Sequence, residues 1–241
     1  MARRVLALIR HGEYAQPAGV PSAHLPYGLT DTGATQARAA AAAVLEFARR
    51  SGLALEPVID CSRMRRAWET ASLMTRALTD AAGQRFECRE FEQLAERSLG
   101  AVANLSVEAI EAILRDDPRC SAPPPGWKRD SDYCLPFQGC ESLAQAGERV
   151  AQHLRRCAAA LTGLTTSGDD AASLKLLVGH GGAFRHAARE LGVLSPEQVA
   201  QLSMGYGAPV YLEVERTESA TDRFVHIAGH WLPRSSSGAI D

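Results

Sequence analysis

The 241-residue sequence has little net charge, no long apolar stretch and no paired-cysteine motif, and each absence removes a class of function. A formal net charge of −2 supplies neither the basic field that nucleic acid requires nor an acidic tail, so no nucleic-acid partner is expected. The apolar runs fall far short of the roughly 20 residues that span a membrane, so no membrane partner is expected either. Met1-Ala2-Arg3-Arg4 imitates the start of a secretory leader, but the apolar run behind it is only Val5 to Ile9 before Arg10 interrupts. A leader needs about 7–15 apolar residues there. The cysteines at 61, 88, 120, 134, 140 and 157 include no C-x-x-C pair. They read as reduced thiols of a cytoplasmic protein, in a chain long enough to bury a large core without staples.

Several catalytic signatures are missing as well. No Gly-x-x-x-x-Gly-Lys-Ser/Thr loop is present to cradle a nucleotide. Gly179-x-Gly181 begins like a dinucleotide fingerprint, but Phe184 stands where the third glycine belongs. No cysteine has Arg at the sixth position after it, which excludes the cysteine-nucleophile phosphate loop. Asp130-x-Asp132 follows no hydrophobic strand, and His-Glu-x-x-His is absent, so neither a metal nor another cofactor is expected.

What is present alternates between strand and helix. Val5 to Ile9 reads as a buried strand, and 30–50 as an Ala-rich helix capped by Thr30 or Asp31 and stopped at Ser51-Gly52. Pro57 to Cys61 is a short strand. Arg65 to Asp80 has helical spacing, with Trp68, Leu73, Met74 and Leu78 as its expected apolar face. Ser106 to Leu114 forms another helix, and 119–139, with Pro123-Pro124-Pro125-Gly126, an irregular excursion over the surface. Helix returns over 141–164; strand Leu174 to Val178 follows, then helices from Gly182 and from Ser195-Pro196, then strands 210–214 and 224–227. This order predicts one α/β domain over 1–241, a three-layer αβα sandwich on a mostly parallel, doubly wound sheet. Its helical insertion spans about 90–140, and its tail, 234–241, is expected to fray.

Two strand ends carry the chemistry. Arg10-His11-Gly12-Glu13 terminates the first strand, and Gly179-His180-Gly181-Gly182 a later one. In an open parallel sheet, ligands bind outside the carboxyl ends of the strands. Two strand-end histidines, each followed by glycine and one preceded by arginine, predict a single anion site built from both halves of the chain.

Six short segments then fall in the order of a known pattern. Arg10-His11-Gly12-Glu13 resembles the signature of the histidine phosphatase superfamily, in the branch around the phosphoglycerate mutases. Leu29-Thr30-x-x-Gly33-x-x-Gln36-Ala37 is similar to the opening of that family's first helix. Ser62-Arg63-Met64-Arg65-Arg66-Ala67-x-x-Thr70-Ala71 resembles its second arginine motif, with Arg66 at the matching position. Leu94-Ala95-Glu96-Arg97-x-x-Gly100 looks like its acidic motif, Gly139 to Leu143 like the element before its long helix, and His180-Gly181-Gly182 like its second histidine. The resemblance runs from residue 5 to about 185.

The resemblance implies a metal-independent phosphoric monoester hydrolase, and the residue chemistry agrees. Arg10 and Arg66 offer planar forks to phosphoryl oxygens. Gly12 lets the backbone approach the anion, and the helix opening at Gly181 aims N–H groups at it. His11 is the expected nucleophile and would form a phosphohistidine. A protonated His180 would stabilise the equatorial oxygens. Glu96 is the expected general acid and then general base. His24, His153 and His226 are expected to be structural or exposed, His186 a surface or packing residue, and Glu141 a helix cap. Trp127, Lys128, Arg129 and Tyr133 either shape substrate access or form a plain loop.

Two alternatives remain at this level. A mutase would use the same residues but needs further cations for a second acidic group, with Lys128 and Arg129 the candidates. A non-catalytic module on the same fold would have lost Arg10, His11 or His180. The mutase pattern continues its first motif with a small hydroxyl residue and an Asn; Tyr14 and Pro17 stand there instead, which favours a phosphatase. The expected partner is a phosphorylated small molecule or protein. Oligomeric state stays open, a dimer included.

Overall fold

Every residue of strand β1, Arg4–Arg10, is buried, as a strand covered on both faces requires. A computed structural model describes residues 3–21, 24–163, 172–217 and 221–234, so nearly all of the tail expected to fray lies outside the described residues. Helix α1, Asp31–Ser51, starts where the Thr30 hydroxyl accepts the Gly33 N–H and stops at Gly52, left-handed at φ 64°. Strands β2 (Ala54–Leu55) and β3 (Val58–Ser62), helix α2 (Arg65–Ala82) and strand β4 (Glu87–Phe91) follow. Two single 3₁₀ turns and helix α3 (Val107–Asp116) lead to α4 (Leu143–Gly163), β5 (Ser173–Gly179) and α5 (Gly181–Glu190). Helix α6 (Pro196–Gln201) opens on a complete Ser195/Gln198 capping box. Strands β6 (Leu202–Met204), β7 (Pro209–Arg216), β8 (Asp222–Ala228) and β9 (Trp231–Pro233) close the order.

Among the described residues the main sheet has seven strands in the order β4-β3-β5-β1-β7-β8, with β2 pairing on β5. β4, β3, β5, β2 and β1 run parallel, β7 runs antiparallel to β1 and β8 antiparallel to β7, so the doubly wound parallel core carries one reversed strand beside its edge. The alternation of β1 separates two cores. Val5, Ala7 and Ile9 pack with Val44 of α1 and Met74 and Leu78 of α2. Leu6 and Leu8 pack on the other face with Val150 and Leu154 of α4 and Phe184 of α5. Each such fully buried Val, Leu, Ile, Met or Phe side chain contributes about 1.5–3 kcal/mol.

Three readings of the sequence need correction. Trp68 is 42% exposed, because α2 turns Arg66, Ala67, Thr70, Ala71, Met74 and Leu78 inward instead. The strand Glu87–Phe91 is not anticipated from the sequence; it joins the main sheet beside β3, ahead of the inserted segment. Its polar sequence hides it: an edge strand exposes much of its surface and shows no apolar run. The 119–139 tract is irregular as expected but does not merely cross the surface. Trp127 and Leu135 are buried with Leu99, Ile110 and Leu114 in a small core of their own. Trp127 also donates to Glu111 at 3.0 Å, which fastens the tract to α3.

Candidate active site

The carboxyl ends of the parallel strands bring the residues together. In the β1–β5 register Arg10 lies opposite Gly179, and the His11 N–H donates to the Gly179 carbonyl at 3.0 Å. His11 and His180, 169 positions apart in sequence, therefore face each other with ring centroids 5.1 Å apart. Ser62 arrives at the end of β3 and Arg66 in the first turn of α2. Glu96 comes from the segment after β4.

Arg66 is fully buried and ties this group together. Its Nε donates to His11 Nε2 at 3.1 Å, its Nη1 to the Leu25 carbonyl at 3.1 Å, and its Nη2 lies 3.2 Å from His180 Nδ1. The His11 tautomer follows from its contacts. Nδ1 is 2.7 Å from the Gly12 carbonyl, which can only accept, so Nδ1 carries the proton and Nε2 the lone pair. The same logic applies to His180: Nδ1 accepts from Arg66, and Nε2 donates to Ser62 Oγ at 2.9 Å. Burial, then the charge of Arg66, holds both histidines well below the ordinary value of 6.5; Arg10 adds to both, and the His11 ring also acts on His180. His180 is thus a neutral imidazole as the pocket stands, against the expectation of a protonated one. Two guanidinium groups in a buried site leave no room for a third cation until an anion enters.

Arg10 donates to the Met204 carbonyl at 2.9 Å, and its guanidinium carbon lies 4.0 Å over the Tyr206 ring. Arg66 is likewise placed 4.6 Å from the centre of the Tyr14 ring. Stacking on an aromatic face holds each planar cation in addition to its hydrogen bonds. Glu96, 6% exposed, sits at the start of α5: one oxygen accepts from the Arg97 N–H at 2.9 Å and the other from the Gly182 N–H at 3.2 Å. Gly181 packs on Arg10, where a Cβ would stand 3.1 Å from its Cδ.

Of the seven residues expected at the site, Arg10, His11, Arg66, His180, Glu96 and Gly181 cluster here. Gly12 does something else. Its N–H is bound to Thr70 Oγ1 at 3.0 Å, and a Cβ would collide with the Gly33 carbonyl. It is glycine because the loop crosses α1 backbone to backbone. Gly33 is pressed in turn on the Glu13 carbonyl, while Gln36 Oε1 accepts the Glu13 N–H at 2.7 Å. The Thr30/Gly33/Gln36 motif is thereby the clamp that holds the His11 loop.

Sequence reasoning missed Ser62, Thr70, Tyr14 and Tyr206. Ser62 and Thr70 lay inside the arginine motif but carry no chemistry visible from spacing alone. Among the other histidines, His186 is buried, binding the Gly182 carbonyl at 2.8 Å and Ser131 Oγ at 3.1 Å, so it packs rather than faces solvent. Glu141 pairs with Arg149 at 2.8 Å and accepts the Ser98 N–H.

A cleft of about 650 Å³ adjoins this cluster through Leu25 and Ala95. Arg63, Arg65 and Arg149 line it, and each is paired with a carboxylate: Glu92, Glu69 and Glu141. Lys128 and Arg129 are not among its lining residues. Among the described residues, no helix is long and apolar enough to cross a membrane.

The sequence profile of the histidine phosphatase superfamily (branch 1) matches residues 6–226. A 2,3-bisphosphoglycerate-dependent phosphoglycerate mutase of Parvibaculum lavamentivorans is 28% identical over 230 residues, covering 92% of this chain and 99% of that protein. Among solved structures, a mycobacterial glucosyl-3-phosphoglycerate phosphatase aligns with a TM-score of 0.66 at 24% identity, over 97% of this chain and 100% of that one. The alpha-ribazole phosphatase of Shigella flexneri aligns with a TM-score of 0.58 at 21% identity, over 91% and 95% of the two chains. At such identities the structural likeness speaks for the fold.

Proposed function

Because this chain belongs to the histidine phosphatase superfamily, branch 1, we propose that it hydrolyses a phosphate monoester of a small molecule or phosphoprotein through a phosphohistidine on His11. The observation that carries the proposal is the His11 tautomer: Nδ1–H is spent on the Gly12 carbonyl, which leaves the Nε2 lone pair between Arg66 and His180.

A phosphoryl dianion entering the pocket draws the Arg66 fork off the two histidines and onto its own oxygens, which frees His11 Nε2 for in-line attack. Arg10 meets the same oxygens from the opposite side. Neutralised by the anion, the pocket then lets His180 take up a proton and donate to an equatorial oxygen. As the P–O bond breaks, Glu96 supplies the proton that the leaving alkoxide needs. In the second half it takes a proton from the water that attacks phosphorus, and His11 leaves with its Nδ1–H still on Gly12. The scheme routes no step through a metal.

The mutase alternative rests on the Parvibaculum relative. It requires cations for a second acidic group, and those of the adjoining cleft are already paired with carboxylates, which supports transfer to water. A cytoplasmic location belongs to the same proposal, supported by six free thiols. The test is kinetic: hydrolysis of a generic aryl phosphate is measured beside a phosphoglycerate mutase assay, with a labelled ester quenched under neutral conditions. An acid-labile, base-stable adduct on His11 is expected, with hydrolysis exceeding mutase turnover. Unchanged turnover in His11→Ala would end the proposal.

A further inference from the structure

On the face of the sheet covered by α4, away from the phosphoryl pocket, three buried side chains of different chemistry converge. His153 and Cys157 are four residues apart and share one side of α4. Both point at Asp60 on β3: Asp60 Oδ2 lies 2.9 Å from His153 Nε2 and 3.4 Å from Cys157 Sγ. One ligand-type atom from each residue falls within 4.8 Å of the others. None of the three is more than 9% exposed, yet a cavity of about 570 Å³ opens beside them.

We propose that Asp60, His153 and Cys157 form a second site that binds a zinc-type divalent cation, with a water from the cavity as fourth ligand. Bonds of about 2.0–2.3 Å to nitrogen, oxygen and sulfur imply tetrahedron edges of about 3.3–3.7 Å. The observed 2.9 and 3.4 Å separations need to open by only a few tenths of an ångström, and the His153–Cys157 edge, which lies within 4.8 Å, must settle into the same range. Thiolate with imidazole selects zinc over magnesium or calcium, which prefer oxygen alone. Lys175 holds the other carboxylate oxygen, Oδ1, at 2.6 Å and the Val58 carbonyl at 2.7 Å, so it fixes Asp60 as a ligand through Oδ2. Glu56, on the same cavity wall, faces the Lys175 charge.

The binding step balances without a redox partner. The Cys157 S–H bond breaks, its proton leaves to solvent, and a metal–sulfur bond forms. The His153 proton moves from Nε2 to Nδ1, so that the Nε2 lone pair meets the metal. Carboxylate and thiolate then offset the two positive charges of the ion and Glu56 offsets Lys175, while Arg89 and Arg156 on the cavity wall remain as cations that weaken the site. A hydrogen-bonded Lys175–Asp60–His153 chain would satisfy Asp60 by itself. It gives no reason for a thiol one helical turn further on to be aimed at the same oxygen.

The test uses full-length protein stripped of metal by chelator and dialysis, titrated with zinc by calorimetry and with cobalt by absorption. One ion per chain is expected, with a thiolate-to-cobalt charge-transfer band and the intense visible bands of a tetrahedral site. Losing an outer partner costs about 10–100-fold in metal affinity, so losing a ligand in Cys157→Ala or His153→Ala should cost at least about 100-fold. Zinc at about 100 times its Kd should raise the wild-type Tm by about 5–10 °C, reversibly with EDTA. Cys134→Ala, at an exposed cysteine, should change nothing. A cobalt spectrum of the wild type without a thiolate band would overturn the proposal, and so would full zinc affinity in Cys157→Ala. The wild-type spectrum decides even if a variant fails to fold.

Discussion

At the scale of single residues, Glu96 separates proton transfer from binding. Glu96→Gln should lower turnover of alkyl phosphates by about 10²–10⁴-fold and spare the first step of aryl phosphates, whose leaving groups need little protonation. Their phosphohistidine should accumulate, visible as a burst of released phenol. Equal losses on both substrates without a burst would remove Glu96 from the proton path. The buried histidines make a second prediction. His11 and His180 are held well below 6.5, and burial first of all pulls His186 down to about 4. Between these lowered values and 6.5 the unfolded chain binds more protons than the folded one. Stability is therefore complete above about pH 6.5 and falls as pH drops below it, by up to about 1.4 kcal/mol per pH unit for each histidine. Urea unfolding across pH 5–8 should show the fall, and phosphate binding near pH 7 should take up protons as the anion raises His180. Calorimetry in buffers of different ionisation enthalpy reads that uptake; none would contradict the charge balance drawn for the pocket. Arg10, His11 and His180 were legible in sequence because a strand, a charged or aromatic group and a glycine stand side by side. Ser62, Tyr14 and Tyr206 were not, because their partners exist only once β3, β1 and the turn after β6 are in register.

At the scale of elements, the clamp between the His11 loop and α1 is the sensitive part. Gly33→Ala must push the Glu13 carbonyl aside, an overpacking that should cost about 1–3 kcal/mol in stability. It should also lower turnover, since the same loop carries His11. Thr30→Ala removes the N-cap and the hydroxyl's 2.9 Å bond to the Glu13 carboxylate but leaves the backbone contact in place, so it should cost about 1 kcal/mol with a smaller loss of turnover than Gly33→Ala. Chemical denaturation with steady-state kinetics on both variants checks the contrast; a Gly33→Ala enzyme with wild-type turnover would show that the clamp does not position the nucleophile. Helix boundaries were legible where a cap and a stop signal bracket them, as at Thr30 and Gly52 or at Ser195. The orientation of α2 was not. Its buried face carries Arg66 and Thr70, polar residues that hydrophobic periodicity assigns outward, so Trp68 was assigned inward in their place. Strand β4 escaped for the related reason that Glu87, Arg89 and Glu90 can be tolerated only at the rim of a sheet.

At the scale of the whole molecule, the two proposed sites are chemically independent, and chelation should tell them apart. Treatment with EDTA should leave kcat and KM for an aryl phosphate unchanged, because Arg10, Arg66 and His180 supply the charge there. Loss of activity on chelation, restored by Mg²⁺ or Zn²⁺, would mean that the phosphoryl pocket has been misassigned. The alternation of strands and helices made the layered architecture legible in sequence. The reversal of β7 was not, since nothing in its residues records which neighbour it joins. That placement has a consequence for biosynthesis. β1 leaves the ribosome well before both of its neighbours, β5 and β7, which come from residues 173–179 and 209–216. At about 5–20 residues per second, the central strand spends roughly 8–35 s with neither edge paired. Its apolar sequence must be shielded over that interval by helix α1 or by a chaperone, and catalytic competence should appear in one late step rather than accumulate with chain length.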